Sequence, residues 1–234
     1  MVDIAVNAKL SSISESVETP LRRALRRLFR RKSAVFGLAI VVFFVVLAAF
    51  APLLSPYDPT AQSWTLVRDE PSALHWFGTD DLGRDILARI IFGTRASLLA
   101  GVISVGIALS IGVPLGLAAG YLGGLLDALI SRMTDAMLAC PFLILAIALA
   151  AFLGPSLSNA MIAIGVTATP IFVRLTRGQV LAVKTEDYVE AARAVGNPRW
   201  RIVFVHILPN IMPALLVQAT LSIAAAIIGE APLS

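Results

Sequence analysis

Few residues in this chain have types and spacing suited to chemistry. Three aspartates fall within eight residues in GTDDLGRD (Gly78–Asp85), shortly after His75. Carboxylates at that density could hold a cation, but the spacing fits no calcium loop. The other reading is a helix start, with Thr79 or Asp80 as cap and the acids near the positive helix end. The spacing favours this second reading. His75 and His206 are the only histidines and lie far apart, so no metal constellation is visible. Cys140 is a lone thiol in an apolar run, which reads as a small buried hydrophobe. None of the lysines (Lys9, Lys32, Lys184) follows a glycine, so there is no GxxxxGK[ST] phosphate loop. No Ser/His/Asp or Cys/His set suggests itself. The expectation is a chain that is not an enzyme and binds no cofactor or metal. One stretch, EAARAVGNPRW (Glu190–Trp200), still needs a role.

The elements that must position that stretch are built for lipid. The chain is 58% hydrophobic and 15% charged over 234 residues, and its mean hydropathy is +0.85. A soluble domain carries about 25% charged residues. Small and aliphatic side chains dominate and aromatics are 7%, which favours packed helices over a barrel. Charges punctuate the apolar runs. A span needs about 20 residues, and the run from Ala136 to Val173 is long enough for two, divided by the turn residues of LGPSLSN (Leu153–Asn159). Five transmembrane helices are therefore predicted, at about 34–54, 98–119, 134–153, 158–176 and 205–228.

LRRALRRLFRRK (21–32) precedes the first span and puts the N-terminus in the cytosol. Beside a span such a block reads as membrane-surface charge, and no nucleic-acid partner is expected. Alternation then places 55–97 outside, 177–204 inside and the C-terminus outside. RDILARIIFGTRASLL (84–99) has the pattern of an amphipathic helix leading into the second span. That span carries Gly101, Gly106, Gly112, Gly116 and Gly120, while Pro209 and Pro213 punctuate the fifth. Glycines permit close helix approach and prolines free carbonyls that can line a cavity. No ionisable residue lies deep in a span, which argues against coupling to an ion gradient.

Within the cytoplasmic loop, KTEDYVEAARAV (184–195) reads as a short helix capped by Thr185 or Asp187, with Asp187 and Glu190 spaced as a capping box. Gly196 can take the left-handed turn that ends it. Asn197 then caps a second helix with Pro198 in its first turn. Ala191 and Ala192 keep the surface flat and Glu190 offers a charge. The product is a helix–glycine–helix elbow facing the cytosol, either a partner's docking surface or a plain connection.

Glu190-Ala191-Ala192, then three residues, then Gly196, then nine residues, then HILP (206–209) resemble the signature of ABC importer permeases. HWFGTDDLGRDILARIIFGTRASLL (75–99), including Gly78, Thr79, Asp80, Asp81, Gly83, Arg84 and Asp85, is similar to a motif of the dipeptide/oligopeptide/nickel branch. The basic tail and LSPYDP (54–59) look like that branch too, so the resemblance runs from about residue 20 to the end. It implies an all-α membrane protein with the type I importer transmembrane fold in the bacterial cytoplasmic membrane. It also implies a permease moving peptides or related small solutes. The implied partners are a second, homologous permease, two cytoplasmic ATPase subunits that hold ATP and Mg, and an extracytoplasmic binding protein. The elbow at 186–200 would be the coupling helix. The chain then divides into a basic tail (1–32), a first helix with its extracytoplasmic segment (33–97) and a permease core (98–234). GEAPLS (229–234) corresponds to the family's E-A-x-L-S, after which a sixth helix is expected and is absent here. A secondary carrier or channel, or a non-transporting membrane scaffold, is the alternative.

Overall fold

The computed structural model describes residue 26 and residues 28–230. The expectations for most of the basic tail and for the closing 231–234 lie outside the described residues. Helix α1 (Lys32–Ala49) is apolar on every side and buries only Ala48. Exposure of Phe36, Val41, Phe43 and Val45 is what a lipid-facing helix requires, since hydrocarbon replaces water around it. The chain turns at Phe50 into the short α2 (Ala51–Leu54), which has Pro52 in its first turn.

Helix α3 (Ile86–Leu122) has 37 residues, about 55 Å at about 1.5 Å per residue. The hydrocarbon layer is only about 30 Å thick. The amphipathic segment and the second span are therefore one helix projecting beyond the membrane. Helix α6 (Leu157–Val183) packs along it in the most extensive helix contact among the described residues. Three glycines at four-residue intervals make this possible. A β-carbon at Gly112 would lie 2.7 Å from the Phe172 Cβ, at Gly116 2.5 Å from the Thr176 Cβ, and at Gly120 2.8 Å from the Val180 Cβ. Gly165 on α6 admits α3 in return, 2.7 Å from the Ser104 carbonyl oxygen, and the Ser104 hydroxyl donates to the Met161 carbonyl at 2.9 Å. In lipid, where no hydrophobic force drives helices together, such backbone proximity supplies the contact.

The third predicted span needs correction. Instead of one helix over 134–153 there are two, α4 (Gly124–Ala139) and α5 (Phe142–Leu153), bent by 95° at Cys140–Pro141. Pro141 has no N–H to donate, and proline drives the preceding residue out of the helical region. Cys140 is accordingly extended, with φ −87 and ψ 135. Scanning for uncharged runs does not register such a break. Cys140 is also exposed rather than buried. Among the described residues, four helices are long and apolar enough to cross a membrane: α1, α3, α6 and α8 (Arg199–Gly229). The bent pair would make a fifth span.

Candidate functional site

The elbow begins where α6 ends. The Lys184 ammonium donates to the Gly120 carbonyl at 3.0 Å, tying the cytoplasmic ends of α6 and α3. Helix α7 (Asp187–Ala194) follows. Its cap residue is Glu186, without a side-chain cap bond, so the expected Thr185 or Asp187 cap and the Asp187–Glu190 box do not form. Asp187 and Glu190 still lie in the first turn, where the helix dipole favours negative charge.

The two alanines of the signature differ in burial. Ala192 is buried with Val189, packed with Val180, Ile202, Ile207 and Ile211. Ala191 and Glu190 are exposed. Adjacent helical residues point about 100° apart, so one alanine seats the helix and the other remains outside. Only Ala191 contributes to the flat outer surface. Arg193 lies over the Tyr121 ring, 5.8 Å from its centre, which attaches α7 to the end of α3.

Gly196 has φ +79, the expected left-handed turn, and a β-carbon there would meet nothing within 4 Å. The next expectation fails. Asn197 does not cap the second helix; Pro198 holds that position. The Asn197 side-chain amide turns back to the Ala192 carbonyl at 3.0 Å, and its backbone N–H reaches the same oxygen at 3.2 Å. Asn197 therefore closes the end of α7. Helix α8 then opens into a π-helical stretch, Ile202–Ile207, in which the Leu208 N–H reaches the Val203 carbonyl. Pro209 can give no N–H to Val205 and its ring would crowd that carbonyl in a regular helix. The wider turn relieves this.

At the opposite end of α3 the aspartates are consumed locally. The Asp80 carboxylate accepts from the Leu82 and Arg84 backbone N–H groups, each at 2.9 Å, from Arg84 Nε at 2.8 Å and from Arg89. Desolvation pulls its pKa upward, but those N–H groups and the Arg84 guanidinium outweigh it and hold the carboxyl well below the usual range. Asp81 pairs with Arg68 at 2.5 Å. Asp85, not Thr79 or Asp80, caps α3 by accepting from the Ala88 N–H at 2.6 Å. Its other oxygen meets His75 Nδ1 at 2.9 Å, and the Tyr57 ring lies 4.9 Å from that imidazole. Thr79 accepts from the Asp69 N–H at 2.9 Å and donates to the Leu66 carbonyl. The three carboxylates thus face different partners.

Sequence reasoning missed the pairs that fix α4 on α6. Arg177 holds both Asp127 oxygens, at 2.5 and 2.8 Å, and Arg174 meets Asp135 at 2.7 Å. These partners are 50 and 39 residues apart, beyond the reach of any local spacing rule.

The profile described as binding-protein-dependent transport system inner membrane component matches residues 112–234, from the glycine stripe through the elbow. A second, the N-terminal TM domain of oligopeptide transport permease C, matches 19–71. The chain belongs to this permease family. The motif at Gly78–Asp85 falls between the two matched stretches. A dipeptide transport system permease protein, DppC, of Alkalihalophilus pseudofirmus is 49% identical over 92% of this chain and 71% of its own length. The probable D,D-dipeptide permease DdpC of Escherichia coli K12 is 47% identical over 85% of this chain and 67% of its own. DppC of Bacillus subtilis is 40% identical over 98% of this chain and 73% of its own. Among solved structures, the inward-facing MetNI methionine ABC transporter superposes with a TM-score of 0.51 at 25% identity, covering 58% of this chain and 68% of that one. The fold is that of an ABC importer transmembrane domain, and such a permease works within a transporter complex.

Proposed function

We propose that this chain is one of two permease subunits of an importer for di- or oligopeptides or related small solutes, with α7 as the helix that receives the ATPase stroke. The observation carrying this reading is the two-sided build of α7. Its outer face offers Glu190 and Ala191 to a partner, while Val189 and Ala192 seat it on α6 and α8. A push on the outer face then moves the ends of three membrane helices together. Glu190, Ala191, Ala192, Gly196, Asn197 and Pro198 are assigned to this coupling, and ATP and Mg bind on the two ATPase subunits. The π-helical opening of α8 supplies a compliant segment between elbow and span. In this arrangement the N-terminus and 177–204 face the cytosol, and 55–97 faces the binding protein's side.

Peptides are favoured as cargo because the relatives quoted above carry peptide names. Deletion of the gene should remove growth on di- or oligopeptides as the amino-acid source, with restoration by the intact gene. Loss of nickel uptake alone would overturn the substrate, and co-purification without ATPase subunits would overturn the importer reading.

A further inference from the structure

The break between α4 and α5 leaves backbone groups that lipid cannot accommodate. The carbonyls of Leu138, Ala139 and Cys140 and the N–H groups of Phe142, Leu143 and Ile144 have no hydrogen-bond partner among the described residues. The side chains around them are open as well: Cys140 is exposed, as are Leu143 and Ile144. The break shares a cavity with Thr167 and Ile171 of α6. Those residues follow Leu157 by 10 and 14 positions, about 15–21 Å below the outer end of that helix at about 1.5 Å per residue. In a hydrocarbon layer about 30 Å thick, that is the middle of the membrane. Irregular backbone at such depth persists only where protein covers it or water fills the space beside it.

A second observation extends this polar flank. Just over one turn before the break, Asp135 and Arg174 pair with side chains 58% and 62% exposed. This charged pair lies on the same α4–α6 flank, and no other described residue shields it. Arg174 follows Leu157 by 17 positions, about 26 Å below the outer end at about 1.5 Å per residue, so the pair stands at the inner edge of the hydrocarbon layer and continues the open polar flank of the break toward the cytosol. We infer that the Cys140–Pro141 break and the Asp135–Arg174 pair line the water-filled path of the solute, the free amides and carbonyls of the break facing the passing cargo. The inference rests on the permease reading and assigns its pathway to one flank of this subunit.

The chain supplies its own probe, because Cys140 is its single cysteine. The assembled transporter, with partner cysteines removed, is placed in vesicles of both orientations and treated with a membrane-impermeant cationic thiosulfonate, with and without ATP. The reagent needs a hydrated thiolate. Cys140 should lose its free thiol in at least one condition. In a Cys140→Ser background, Val42→Cys on the lipid-facing α1 should keep its thiol throughout. An unreactive Cys140 in every condition, in a complex that still transports, overturns the inference and means that lipid or the sister permease covers the break. Equal reaction at Val42→Cys overturns it too. Failure of the unmodified complex to transport any peptide is a different result, and counts against the permease reading itself.

Discussion

Gly83 and Gly196 make the most instructive contrast in the molecule. Both have positive φ, +70 and +79, and both lie in motifs that resemble family signatures. Their surroundings are opposite. A β-carbon at Gly83 would lie 1.9 Å from the Ser63 carbonyl oxygen, whereas at Gly196 it would meet empty space. The segment around Gly83 is a closed knot in which Asp80, Asp81 and Asp85 are spent on neighbouring donors. The segment around Gly196 is an elbow that keeps Glu190 and Ala191 exposed. The carboxylates of the knot are engaged within the fold. The elbow satisfies its backbone and still presents an open surface.

The harshest test of this contrast is Gly83→Ala. The clash is with backbone, which cannot move aside, so the cost should exceed the roughly 1–3 kcal/mol of ordinary overpacking. We expect loss of folded protein from the membrane fraction; wild-type levels would mean that the knot is not closed. Next comes Gly196→Val, which adds strain without a clash, about 1–2 kcal/mol locally. Membrane levels should stay normal while transport and its coupling to ATP hydrolysis are lost, read in vesicles beside ATPase co-purification. Wild-type transport with ATPases attached would reduce the elbow to a connecting loop.

Asp85→Ala removes the cap of α3 and the partner of His75. A lost cap costs about 0.5–2 kcal/mol, so thermal stability in detergent should fall while ATPase binding is unaffected. Glu190→Ala removes a charge with no ion-pair partner among the described residues. Stability of the isolated subunit should not change, and transport should weaken only partially. A destabilised subunit would show that Glu190 belongs to the fold. The smallest effect concerns acid. Asp80 is held below its unfolded value, so its stabilisation is complete above about pH 4. It is lost as pH falls through the lower folded-state value. Unfolding midpoints of the wild type between pH 7 and 5 should therefore be insensitive to Asp80, and an Asp80-dependent decline in that window, absent from Asp80→Asn, would contradict the knot's geometry.

Local signals carried much of this architecture. Uncharged runs locate α1, α3, α6 and α8 because a spanning helix satisfies its own backbone and needs only apolar side chains. The Gly196 turn is equally legible, since an alanine-rich helix followed by Gly-Asn-Pro has few other ways to end. The break at Cys140 was written in Pro141, but the surrounding run of apolar residues masked it. Cap identity was less accessible. Residue type and spacing point to Thr79 or Asp80, but Asp85 takes the cap because Asp80 is engaged by Arg84 and Arg89 and Thr79 by Leu66 and Asp69.

By itself the sequence determined the membrane class, the position of the long helices, the glycine stripe of α3 and the elbow's helix–turn–helix form. Each depends on periodicity, hydropathy or backbone preference within about 20 residues. Tertiary structure alone decided that Ala192 turns inward while Ala191 stays out, and that Arg177 and Arg174 seize Asp127 and Asp135. These outcomes depend on which surfaces meet once α3, α6 and α8 are packed. The two arginine–aspartate pairs lie 50 and 39 residues apart in the chain, where no local spacing encodes their contact.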